Sequence, residues 1–205
     1  MSVSSIGQII SRQNVEDAYI ATLRTWLQTY LSEVQAQNSL PSLPAPPSAA
    51  SFYGGVDERT WSEDELPAVV VIAQPVDDPI RFGSGNYAQW YEVIVNAVTV
   101  AETEDDSRAL AGWYAAAIAT LITQQSDLGE FALDTIPIDP GHAEFLDDES
   151  HGRRFAQCPA TFKTLVFSTM SADNAPVLPD WPPPATPTVE TTTGTIDAVP
   201  VTNAP

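Results

Sequence analysis

Apolar and polar positions alternate along one stretch and then change period. From Tyr87 to Ala101 the chain reads YAQWYEVIVNAVTVA. Tyr91, Val93, Val95 and Ala97 are uniformly apolar, whereas the alternate row mixes Trp90, Ile94 and Val98 with Glu92 and Asn96. Period two with one clean and one mixed face predicts a strand that covers a core on one side and meets water or a partner on the other. After one acidic turn, Leu110, Trp113, Tyr114, Ala117, Ile118, Leu121 and Ile122 recur at helical spacing and predict a helix lying on the clean face. Thr103 supplies its cap oxygen, and Glu104, Asp105 and Asp106 place negative charge at the positive end of the helix dipole.

The same patterning organises the rest of the chain. Val15, Tyr19, Leu23, Trp26, Leu27, Tyr30, Leu31 and Val34 hold helical spacing to about Gln37, with Asn14 as the expected cap and Glu16 and Asp17 in the first turn. Residues 38–50 (NSLPSLPAPPSAA) are an extended, proline-led surface connector, because proline fixes φ and removes a donor. Residues 51–65 carry no regular pattern. LPAVVVIAQ, 66–74, is a β-branched run between prolines that predicts a strand buried on both faces. Residues 75–86 are expected as a long hairpin loop. Its Gly83–Gly85 triplet lacks the lysine and following helix of a phosphate loop. FALDTIPID (131–139) and RFAQCPATFKTLVFST (154–169) complete the set as two strands, Pro159 marking an edge or a bulge. The order α-β-β-α-β-β predicts an α+β domain over 1–170: a mixed or antiparallel sheet of about four strands packed by two main helices around one core.

Beyond Met170 prolines and threonines dominate and large apolar side chains nearly vanish, apart from Trp181. Such a tail, 171–205, cannot bury enough surface to offset the entropy of ordering it. A neighbouring subunit is the expected support, with Trp181 as the anchor.

Charge and composition narrow the class. A hydrophobic fraction of 43% supports a core, and no apolar run approaches the ~20 residues that span a membrane, so no membrane partner is expected. The net charge of −19 opposes direct wrapping of nucleic acid, which needs a basic surface. The single Cys158 excludes an internal disulfide framework. The first ten residues lack the basic start and apolar core of a signal peptide, and the expected location is the cytoplasm.

Catalytic chemistry has little to stand on. Residues 141–151 (GHAEFLDDESH) hold His142, Glu144, Asp147, Asp148, Glu149 and His151, which are ligand types without zinc or EF-hand spacing. A solvated acidic loop is the plainer reading, and neither a metal nor another cofactor is expected. Arg153 and Arg154 are candidate partners for these acids or for those of a partner chain. Cys158 beside a proline in a strand reads as a small buried hydrophobe, and there is no GxSxG elbow. No catalytic residue is assigned and the chain is not expected to be an enzyme.

The element order, the proline-led strand LPAVVVIAQ, the strand WYEVIVNAVTV and the helix ALAGWYAAAIATLI resemble the tail terminator (tail completion) proteins of long-tailed bacteriophages, over about 15–169. The proline connector and the Pro/Thr tail depart from that pattern. The resemblance implies a structural virion protein, assembled in the host cytoplasm. It would form a homohexameric ring that caps the major tail tube protein, ends tube polymerisation and offers a surface to the head-tail connector of the neck. DNA would pass through its negative channel without specific binding. The expected partner surfaces are the mixed strand face with Trp90 and Ile94, the hairpin around Arg81, Phe82 and Tyr87 facing the tube, and Trp181. A neck component such as a stopper or adaptor, and a small metal- or ligand-binding enzyme domain built on the acidic loop, are the alternatives.

Overall fold

A computed structural model describes residues 10–55, 63–82, 86–148 and 153–168. The chain is α+β. Its elements are α1 (Arg12–Asn38), β1 (Phe52–Gly54), β2 (Ala68–Phe82), β3 (Asn86–Thr99), α2 (Glu104–Gln124), β4 (Asp134–Asp139), β5 (Glu144–Asp148) and β6 (Arg153–Ser168), with single 3-10 turns at Ala49–Ser51 and Glu63–Glu65. The six strands form one sheet in the order β1-β2-β3-β6-β4, with β5 also paired to β6. The β1–β2 pair is parallel and the other pairs are antiparallel. β1 and β5 are the two strands not foreseen. Each is short, and each is defined by its partner more than by its own pattern.

Both helices pack on one face. Val69, Val71 and Ala73 of β2, the clean row of β3, Ala160, Phe162 and Val166 of β6, and the apolar stripes of α1 and α2 make the main core. Tyr19 is fully buried there, its hydroxyl sharing a 2.6 Å hydrogen bond with Thr164 Oγ1 and its ring tilted against Phe162. Thr103 caps α2 as expected, accepting from the Asp106 N–H, with the three acids in the first turn.

Several details differ from the sequence reading, each for a local reason. The cap of α1 is Ser11. Asn14 is the third helical residue and closes a reciprocal box, its Oδ1 accepting from the Ser11 N–H at 2.9 Å. Glu16 therefore leaves the first turn and turns inward, 1% exposed, to accept the Ala73 N–H at 3.1 Å just past the end of β1. The LPAVVVIAQ strand is not buried on both faces: Val70 and Ile72 are half-exposed. It also does not end at Gln74. The ladder runs to Phe82↔Asn86, because an irregularity between Val76 and Ile80 absorbs Asp77, in the left-handed region, and Pro79. The strand expected from Phe131 starts at Asp134, after a turn with positive φ at Leu128, Gly129 and Glu130.

Pro159 marks neither an edge nor a bulge of its own strand. β6 is interior, with β3 along one side and β4 and β5 in succession along the other. β4 pairs as far as Thr161 and β5 resumes at Gln157, so Pro159 sits in the gap between them. Its carbonyl faces Gly141 in that gap, and a strand residue points its N–H and C=O to the same side. The donor that proline lacks would have had no ladder partner there.

Candidate functional site

The sheet face opposite the helices is the surface on which side chains of different elements converge. The pairing register sets rows across β2, β3 and β6: Val70–Asn96–Pro159, Ile72–Ile94–Thr161, Gln74–Glu92–Lys163 and Val76–Trp90–Leu165. All but the exposed Gln74 are half-buried. Among the described residues no helix packs on these rows. At one end Leu66, Ala68, Val98 and Phe155 close a small cluster of their own, so the open area lies toward the β2–β3 hairpin.

The face joins apolar bulk to a few paired polar groups. Ile72, Ile94, Val76, Trp90 and Leu165 supply the bulk. Gln74 Nε2 donates to Glu92 Oε1 at 3.1 Å, and Asn96 Nδ2 donates to Gln157 Oε1 at 2.6 Å. Asn96 Oδ1 is shielded from solvent and has no hydrogen-bond partner among the described residues. Lys163 bridges to Asp77 at 2.6 Å and lies 5.2 Å from the centre of the Trp90 ring. In a chain of net charge −19, the two rows through Ile72, Ile94, Asn96 and Val70 carry no ionised group. Close approach of another acidic surface is least opposed there.

Trp90 and Ile94 are thus brought together on one face, two rows apart. Arg81 and Tyr87 are direct cross-strand neighbours at the far end of the same hairpin, Arg81 exposed and Tyr87 half-buried. The backbone of Phe82 pairs with Asn86; its side chain, the Gly83–Gly85 triplet and Trp181 lie outside the described residues. Of the acidic loop, His142 and Glu144 are exposed, and Glu144 Oε1 accepts from Gln157 Nε2 at 2.9 Å. The side chains of Asp147, Asp148, Arg153 and Arg154, and all of Glu149 and His151, lie outside the described residues. No group of three or more potential metal ligands occurs among the described residues.

Lys163, Leu165, Val70 and Ile72 belong to this surface and were not singled out by sequence reasoning. The one available signal was that Lys163 is the sole lysine of the chain.

Two stretches of sheet edge, β2 beyond the end of β1 and β4, are poorly suited to accept another strand. Gly55 N donates to Val71 O, so alternate residues of β2 present their backbone groups on the β1 side. Past β1, the next such donor, Ala73 N–H, is taken by Glu16, and the one after it is Pro75, which has none. At the opposite edge β4 carries Pro137, with Pro140 just beyond it. Proline and inward-pointing acid are devices that block edge-to-edge pairing. Aliphatic side chains are exposed on β4 and just before it: Leu133, Ile136 and Ile138 are 56%, 46% and 53% exposed.

The burial of Cys158 raises its thiol pKa, with the Asp139 and Glu144 carboxylates adding to the shift. Such a thiol is a poor nucleophile at neutral pH. Burial likewise raises the phenols of Tyr19 and Tyr114 strongly, and that of Tyr91. Comparison with known proteins finds no family model and no curated protein that matches this chain.

Proposed function

We propose that the chain is a structural, ring-forming protein of the tail-terminator kind, capping a phage tail tube and presenting a surface to the neck. The observation that carries this reading is the open sheet face, where Trp90, Ile94, Ile72 and Leu165 stand beside paired polar groups in the manner of a protein interface. A closed ring joins two different surfaces of successive copies. Exposed Ile138, which lines a shallow depression with Pro137, Pro140 and the end of α2, supports the second. Along β2 beyond β1 and along β4, the blocked edges favour side-chain packing over continuation of the sheet as the mode of contact. In the virion such a ring would place strong negative charge around the DNA path, letting the polyanion pass without being held.

Mass photometry of the purified chain, with and without tube protein, tests the proposal. Discrete rings are expected, and Ile94→Asp should reduce them to single chains while the circular dichroism spectrum stays that of the parent. Rings that persist in Ile94→Asp would remove the open face from the interface. Single chains under every condition would end the proposal. Rings that fail to cap tubes, or capping unaffected by Arg81→Glu with Phe82→Ala, would argue for a neck component, or for another tube-facing surface.

A further inference from the structure

A groove lies away from the open sheet face. It measures about 740 Å³ and runs between the proline connector and the first half of α2, within the range of ligand-binding clefts. Leu40, Leu43, Leu110 and half-buried Trp113 form its apolar walls, and Glu102 and Asp106 stand at its acidic end. The far wall is held in place: the Tyr114 hydroxyl donates to the Pro44 carbonyl, and the Leu40 N–H donates to Gln35 O.

Two carboxylates, proline carbonyls and the Ser42 hydroxyl are the polar groups along this groove. Pro41 contributes a carbonyl and no N–H, the Pro44 carbonyl already accepts from Tyr114, and the Leu40 N–H is already spent. Asp106 is partly committed, accepting from the Thr103 hydroxyl at 2.7 Å. Glu102 is exposed and has no ion-pair or hydrogen-bond partner among the described residues. Of the acids at the start of α2, Glu102 and Asp106 line the groove, and together they outweigh the roughly half positive charge of the α2 N-terminus. Apolar walls, an indole and two carboxylates at one end match one chemistry closely. A guanidinium supplies several donors and a positive charge, and it stacks on aromatic faces.

We infer that this groove docks an extended protein segment in which an arginine is flanked by aliphatic side chains, the aliphatics lying on Leu43, Leu110 and Trp113 and the guanidinium meeting Glu102. The inference is independent of ring formation and of the open sheet face.

The test uses the full-length chain at about 150 mM salt, where exposed charges more than roughly 8 Å apart are largely screened. Fluorescence anisotropy follows a labelled peptide of two arginines spaced among leucines. Two controls replace arginine by neutral, isosteric citrulline, or leucine by serine. Saturable binding is expected, weakened about tenfold or more in each control peptide, since hydrogen bonds to charged groups and buried aliphatic side chains each contribute at least that much. Glu102→Lys and Trp113→Ala should weaken it similarly. Glu130→Lys, an identical charge change beyond the other end of α2, should leave it unchanged. Equal binding of the citrulline peptide, or equal losses in Glu102→Lys and Glu130→Lys, would reduce the effect to general attraction and overturn the inference. Absence of saturable binding would overturn it as well. Should Trp113→Ala unfold, the two lysine variants decide.

Discussion

Replacing Gly141 by alanine probes the place where the β4–β5 turn touches the middle of β6. Gly141 has φ +80, and its N–H donates to Asp139 Oδ1 at 2.8 Å. A Cβ built there would lie 1.9 Å from the Pro159 carbonyl oxygen and 2.8 Å from its carbon. Ordinary contact begins near 3.4 Å, so the turn and the strand must part by about 1.5 Å, and both sides of the clash are backbone. β6 is held by β3 on its other side and cannot yield cheaply. The left-handed backbone costs about 1 kcal/mol with a Cβ present, and forced overpacking adds about 1–3 kcal/mol. We expect Gly141→Ala to lose about 2–4 kcal/mol in urea unfolding, and about 5–15 °C in Tm for a domain of this size. Two companions separate the contributions. Gly129 has φ +71 and nothing within 4 Å of the point a Cβ would occupy, so Gly129→Ala should show the backbone cost alone, about 1 kcal/mol. Gly112, in α2 with equally open space, should gain about 0.5–1 kcal/mol on change to alanine. If Gly141→Ala were no worse than Gly129→Ala, the close approach to Pro159, and with it the explanation of how proline is tolerated inside the sheet, would be refuted.

Tyr19→Phe should cost about 1–2 kcal/mol by leaving the buried Thr164 hydroxyl without its partner. Adding Thr164→Val should recover part of that loss, and strictly additive losses in the double-mutant cycle would show that the bond is not energetically coupled. Cys158 gives stability a pH dependence. Its folded pKa is raised, so the folded state keeps the thiol proton to higher pH than the unfolded chain does. This preference holds its full contribution below the unfolded thiol's ordinary range, near 8.5, and stability falls as pH rises from there toward the folded value. Unfolding titrations from about pH 7 to 10 should show a smaller decline in Cys158→Ala than in the parent, and identical slopes would contradict the assignment.

Local chemistry alone determined the two helices, the clean face of β3 and the α+β class. Period and capping depend on residues a few positions apart, so Thr103, the acids after it and the stripe from Leu110 to Ile122 could be placed without knowing what they pack against. The mixed row of β3 was legible for the same reason, and so were Trp90 and Ile94. What lies beside them was not. Lys163, Leu165, Val70 and Ile72 join that surface through pairings with residues tens of positions away, and a shift of one residue in register would have turned each of them to the other face. The interior position of β6 hid the meaning of Pro159, which depends on a gap between two other strands. Glu16 read as an ordinary first-turn acid until the end of β1 exposed the Ala73 N–H it accepts. Periodicity is written within a segment, whereas pairing, register and the fate of each backbone donor are relations between segments, and only the folded chain decides them.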